Sequence, residues 1–398
     1  MGEILIFAPM QLIPVTDTNT ASQFIKAAVE INKNEPDWIR PLDKDIDEVF
    51  DKEKNKAFRF GDVIRWILTD EKGNLIGRIA AFTNKKYKNK GDDVPVGGVG
   101  FFECINNQSA ADLLFDTGKK WLQEQGMEAM DGPINFGERD RWWGLVTDGY
   151  HPPLYCMNYN PPYYVTLFEN YGFKVFFNQV CFGFDPEKTL LPKIVQRHAA
   201  VAANPAISFK TLKKDQLPKF AEDFATIYNK AWAGHGGLKQ MSKEQVVLMF
   251  KKMKPVMDER ILYFVYHKED PIGMFINLPD LNHYFRKMNG QFGLLQKLKF
   301  LWLQKFDPAK KFTGIVFGIV PEWQGKGIDA YLIGECGRII QVPSKPYTAY
   351  EMQWIGDFNP KMINVAENFG DTFRSRNLST YRYLFDRQKE FHRHPILI

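Results

Sequence analysis

The stretch Val320-Pro321-Glu322-Trp323-Gln324-Gly325-Lys326-Gly327-Ile328 has the residue types and spacing that most directly suggest chemistry. It reads as a strand ending at Val320, a glycine loop, and a helix opening at Ile328. Such a loop presents unpaired backbone N–H groups at the positive end of a helix dipole, and its glycines let a diphosphate come close. Lys326 adds a cation beside it. Glu351, Asp357 and His235, the last in Gly234-His235-Gly236-Gly237, are groups able to relieve an amine of its proton. An alkyl amine, with a pKa of about 10, is protonated at neutral pH, so acyl transfer to nitrogen needs such a base or a water chain. Each of the three also has an ordinary structural reading.

A second group of polar and aromatic residues lies in the first half. Residues 131–155 carry Gly132, Pro133, Gly137, Gly144, Gly149, Pro152 and Pro153, an irregular stretch long enough to suggest function and too aromatic for disorder. Asn135, Arg141, Trp142 and Tyr150 fall there, and Asn160, Tyr163 and Tyr164 follow in Tyr159-Asn160-Pro161-Pro162-Tyr163-Tyr164. Loop residues of these types suit recognition of an acceptor, although the last run can instead cap a helix and pack its tyrosines.

The elements that must position these residues occur twice in the same order. Ile64–Thr69 and Leu75–Phe82 predict a hairpin, Val96–Ile105 a strand, Ser109–Gln125 a helix with Ser109 as its cap, and Pro161–Tyr171 a helix closed by Gly172. Val175–Phe184 closes this half as a strand. The second half repeats the plan with a hairpin at Ile261–Leu278, a strand at Gly314–Val320, and a helix from Ile328 to about Ile340. A strand at Tyr347–Ile355, a helix at Pro360–Phe369 and a short last strand at Tyr381–Phe385 complete it. A chain of 398 residues fits two domains. The join is placed at Pro186–Pro205, where prolines and alanines interrupt the pattern.

Gln324 through Asp329 resembles the acetyl-CoA-binding motif of the GNAT superfamily, Q/R-x-x-G-x-G/A after a strand, with Asp329 where the family carries a small residue. Asn359–Gly370 is similar to the GNAT segment N-x-x-A…Y-x-x-x-G. Ala366 stands at the tyrosine position there and Phe168 at the matching place in the first half. Loss of that tyrosine is tolerable, because a thiol with a pKa near about 8.5 already leaves well as thiolate. Asp37–Leu42, Gly77–Ala81, Gly132–Phe136 and Tyr159–Tyr164 resemble an uncharacterised bacterial tandem GNAT-like family.

The resemblance implies an α+β chain of two tandem GNAT-like domains, 1–190 and 206–398, each a mixed, mostly antiparallel sheet flanked by helices. It implies acetyl-CoA or a longer acyl-CoA as co-substrate, held by Val320, Gln324, Gly325, Lys326, Gly327, Ile328 and Asn359. Glu351 is the favoured base because its strand faces the cleft in that fold. No matching loop follows Val99–Ile105, so the first half is expected to help build the acceptor pocket instead. The function expected is N-acyl transfer to an amine, with non-catalytic ligand binding as the alternative.

Composition narrows the partners. A net charge of +5 and no basic arm give no reason to expect nucleic acid. Cys104, Cys156, Cys181 and Cys336 lie far apart without a CxxC pair, which predicts no metal site and suits a reducing cytoplasm. No apolar run reaches the roughly 20 residues of a membrane span. Aromatics at 15% and the basic amphipathic insert Arg286–Lys311 mildly favour a lipid-like acceptor over another small molecule. That insert either packs on its own domain or lies on a membrane surface. Oligomeric state is not indicated.

Overall fold

The computed structural model describes residues 10–89, 91–231, 240–368 and 370–396. Strand and turn chemistry agree at the first hairpin. The Asp70 side chain accepts from the amides of Lys72 and Asn74, and Gly73 takes a left-handed φ of 79° that a side chain would oppose.

The strands are β1 Gln11–Pro14, β2 Val63–Thr69, β3 Leu75–Phe82, β4 Val96–Cys104, β5 Ala129–Gly132, β6 Leu145–Asp148 and β7 Lys174–Phe184. There follow β8 Ile207–Thr211, β9 Leu262–His267, β10 Asp270–Pro279, β11 Lys311–Ile319, β12 Ala349–Met352, β13 Ile355–Gly356 and β14 Thr372–Leu384. They form one mixed sheet in the order β1-β2-β3-β4-β5-β14-β7-β12-β11-β10-β9-β8, with β6 pairing off this path on β14 and β13 on β7, flanked by helices. This is the α+β architecture expected, with an added feature. The last strand of each half is exchanged: β14 lies beside β5, and β7 lies beside β12. The two exchanged strands pair with each other from Thr372↔Phe184 to Arg382↔Lys174.

A buried ion pair secures the exchange. Arg382 on β14 donates to both oxygens of Asp131 on β5, at 2.6 and 2.8 Å, and to Asp92 at 2.7 Å. Tyr87 supplies Asp131 with a further bond. Removing one partner would leave a buried charge unpaired, so the cluster strongly favours this pairing over alternatives.

Two pairs in the sheet are parallel among the described residues, and both are short. β4 meets β5 over Val96–Gly98, and β11 meets β12 over Lys311–Gly314; beyond these the strands part. Each of β4 and β11 also bulges where it parts. Ile315 is the extra residue on β11, between Gly314 and Val316, and Phe101–Phe102 form the matching irregularity on β4.

Several expectations are corrected. The last strand begins at Thr372 rather than Tyr381. Its polar start, Arg374-Ser375-Arg376-Asn377, lacks an apolar rhythm, yet it is held as strand by β7. The join is not an interruption: Pro192–Ala202 is a helix, begun by proline at its first turn. It packs on the helix Ile328–Ile340, where Gly334 leaves space for His198 and Glu335 binds its Nε2 at 2.8 Å. Asn107, not Ser109, caps the helix Gln108–Glu124. A helix at Asp43–Phe50 and strand β8 were not foreseen.

Candidate functional site

Where β11 leaves β12, a cleft of about 460 Å³ opens. Its walls are Phe317–Ile319 at the end of β11, Gln324 and Gly325 of the glycine loop, and Met362 and Val365 of the helix Pro360–Glu367. Arg197 and Asp329 close one side. Met362 and Val365 are large apolar residues left exposed in this cleft, at 38% and 41%. Unpartnered apolar surface in a concave site is what a ligand can cover.

The loop has the geometry its glycines predict. Gly325 and Gly327 have φ of 72° and 86°, and Gly327 opens the helix Ile328–Ile340 with no side-chain cap. The first-turn N–H groups of that helix therefore point outward without intrahelical partners. A Cβ on Gly325 would meet nothing within 4 Å, so the backbone is openly approachable there. Gln324 steadies the loop by donating to the Ile319 carbonyl at 3.0 Å, and Lys326 rests over the Trp323 ring. Val320 and Ile328 are buried anchors rather than cleft walls. Asn359 caps its helix by accepting from Met362 N, which orients the wall opposite the loop. The acidic residue at the small-residue position is neutralised: Asp329 accepts from Arg197 at 2.7 Å. Gly, Gln, Lys and a paired Arg around an open loop fit a diphosphate.

Glu351 sits one residue before the last β11–β12 pair, at the vertex of the parting strands. Its side chain is 3% exposed and accepts from Lys311 at 2.9 Å and Ser375 at 3.1 Å. Arg376 Nε and His151 Nε2 stand at 3.6 and 3.7 Å. Burial raises its proton affinity, but the charges of Lys311 and Arg376, the Lys311 hydrogen bond and His151 outweigh it, and the pKa falls below its ordinary value. An arginine only donates, so Arg376 Nη2 at 2.7 Å from His151 Nδ1 makes Nδ1 the acceptor and leaves the proton on Nε2, facing the Ser375 carbonyl at 3.0 Å. Burial and Arg376 together hold the His151 pKa low. Sequence reasoning missed His151, Lys311, Ser375, Arg376 and Arg197, which come from four separated segments.

The other sequence candidates are dispersed. Asp357 is taken up by Asn178 and Arg393, at 2.9 and 2.7 Å. His235 lies outside the described residues. Asn160 bonds both backbone groups of Val146. Tyr163 donates to the Cys104 carbonyl, and Tyr164 binds Glu103 while accepting from Cys104 N. Trp142 is buried against Phe101, and with Leu145, Met157 and Tyr159 it fills the place where β4 and β5 part, leaving about 60 Å³. Tyr150 packs beside Val146 and Leu154, and the Arg141 charge sits among Tyr155, Asp140 and Asp45. Asn135 is buried with its Oδ1 unpartnered among the described residues.

With this geometry, the chain has the tandem GNAT fold. It superposes on the tandem GNAT protein of the clavulanic acid biosynthesis pathway with a TM-score of 0.51 and 10% identity, over 95% of this chain and 99% of that one. It also superposes on the GCN5-related glucosamine N-acetyltransferase region of a fungal multi-domain GH3 β-N-acetylglucosaminidase. The TM-score there is 0.53 with 12% identity, over 95% of this chain and 38% of that longer one. No protein-family model matches. In sequence, the chain is 23% identical over 381 residues to a bacterial ceramide synthase of Caulobacter vibrioides (strain NA1000 / CB15N), over 94% of this chain and 97% of that protein.

Proposed function

We propose that the protein is an N-acyltransferase that moves an acyl group from acyl-CoA to the amine of a lipid-like acceptor. The observation that carries this is the cleft beside the end of β11, beyond its last pair with β12, walled on one side by Gln324 and the left-handed Gly325. In this reading the N–H groups of the loop hold the diphosphate, and Met362 and Val365 line the donor's path. The reaction forms an amide C–N bond, breaks the thioester C–S bond, and sends the amine proton to solvent or a neighbouring base while sulfur leaves as thiolate. Positioning at the vertex beside Glu351 would supply most of the rate gain. Similarity to a ceramide synthase along nearly the whole chain supports a long-chain amine, because a ceramide is an N-acylated long-chain amine. Four free, buried cysteines suit the reducing cytoplasm in which we place the protein. Among the described residues no helix is long and apolar enough to cross a membrane.

The test is calorimetric titration of acetyl-CoA and palmitoyl-CoA into wild type and Gly327→Trp, followed by thiol release with sphinganine as acceptor. Binding lost in the variant, with amide formed by wild type, is expected. Absence of binding by both donors would overturn the reading.

One observation favours a second reading, a non-catalytic ligand-binding protein. Glu351 is ionised and committed to Lys311 and Ser375, which makes it a weak base. Donor binding without thiol release for any long-chain amine would select it.

A further inference from the structure

The helix Leu294–Phe306 carries a surface that the fold leaves uncovered. Leu294, Leu295, Leu298, Leu301, Trp302 and Phe306 are 56–76% exposed. At about 100° per residue they occupy an arc of roughly 140° on one side of the helix. The helix is not frayed. Its opposite side holds Phe300 and Leu303 at 3% exposure in a cluster with Leu42, Tyr284 and Phe285. Six large apolar side chains fixed side by side in water form a patch that needs a partner.

Charge decides which partner. Lys297, Lys299 and Lys305 are the only ionisable residues in this helix, and Arg286 and Lys310 flank it. The neighbouring acid, Asp307, is already paired with Lys287 and His283. Lys297 and Lys299 lie at the two margins of the apolar stripe, and Lys305 lies within it near its C-terminal end. This arrangement matches a lipid surface with negative headgroups, where the stripe enters the acyl boundary and the long lysine stems carry the ammonium groups back to the headgroups. A second copy of the chain would bring the same lysines against each other.

We propose that Leu294–Phe306 docks the protein on an anionic bilayer surface. The dock is continuous with the Glu351 cluster. Phe300 stacks on Phe285 of the short helix Asn282–Phe285, Asn282 of that helix donates to the Pro153 carbonyl, and the carbonyl of Pro152 beside it accepts from Arg376. The inference does not depend on acyl transfer, because vesicle binding is read without any acyl donor.

Flotation with phosphatidylcholine vesicles, with and without phosphatidylglycerol, tests it. Wild type should bind the mixed vesicles at least about tenfold more strongly than the neutral ones, and high salt should weaken that binding. Leu298→Gln with Trp302→Gln should abolish flotation while leaving the melting curve unchanged, since both side chains already face solvent. Failure of wild type to float, or undiminished flotation of the double variant, would overturn the dock. Equal binding to both vesicle types would overturn the choice of an anionic surface. A wild-type dimer that the double variant dissociates, without vesicle binding, would assign the patch to a second copy instead.

Discussion

Arg197 Nη2 donates to Asp329 Oδ1 at 2.7 Å, joining the helix between the two halves to the first turn of the helix behind the glycine loop. Asp329 otherwise places a negative charge where the reading above puts a diphosphate. Arg197→Ala should therefore weaken acyl-CoA binding by about five- to tenfold, and Asp329→Asn in the same chain should restore most of it. Calorimetric affinities for the two single variants and the double variant close the cycle. Additive effects would show that the pair does not act through the loop.

Glu351 joins Lys311 of β11 to Ser375 and Arg376 of β14, so it ties the second half's sheet to an exchanged strand. Glu351→Ala leaves the buried Arg376 and the partly buried Lys311 without their counter-charge and should cost about 3 kcal/mol. Its folded pKa lies below the ordinary 4.5, so its contribution is complete above that value and is lost as the pH falls through the lowered one. Urea midpoints of wild type and variant should be far apart near neutrality and converge only in acid. A constant gap down to the acid limit would contradict the assigned charge state.

His151 titrates in the opposite chemical sense but with the same sign of linkage. Its pKa lies below 6.5, lowered first by burial and then by Arg376, so the folded protein favours neutral imidazole. Stability from this group is complete above 6.5 and declines as the pH drops through the folded value. His151→Gln should lose less stability than wild type over that acid interval, read as melting temperature against pH. Nitrogen-15 spectra at neutral pH should show the Nε2–H tautomer, and an imidazolium signal would refute the Arg376 contact.

Gly325 and Gly327 differ in what a methyl group would meet. Gly325→Ala adds backbone strain alone, about 1 kcal/mol, because space is open around it. Gly327→Ala adds the same strain and presses on Val201 Cγ2, 3.0 Å from the new atom, so it should be the more destabilising. Equal losses in chemical denaturation would mean that the join helix yields freely at Val201.

The strands and helices with a strong local rhythm could be read in advance. Ile64–Thr69 with Leu75–Phe82, and the helix Ile328–Ile340, depend on neighbours two to four residues away, and their patterns are complete within the segment. The loop Gln324–Gly327 was readable for the same reason, since positive φ and an open helix N-terminus are local properties that glycine announces.

Other features exist only through distant contacts. Arg376 and Ser375 look like loop residues until β7 pairs with them, and Arg197 looks like part of a linker until Gly334 lets its helix pack. Tyr163, Tyr164 and Asn160 have recognition-type chemistry in sequence, yet the fold directs their polar groups to the backbone or a buried carboxylate. The sequence by itself therefore determined the repeated order of elements, the glycine loop and the amphipathic insert. The tertiary structure decided the exchange of β7 and β14, the charges gathered around Glu351, and that the parting of β4 from β5 is filled while a cleft stays open beside the end of β11. Those outcomes depend on which strand lies beside which, and the hydrogen bonds and ion pairs that choose it span hundreds of residues of chain.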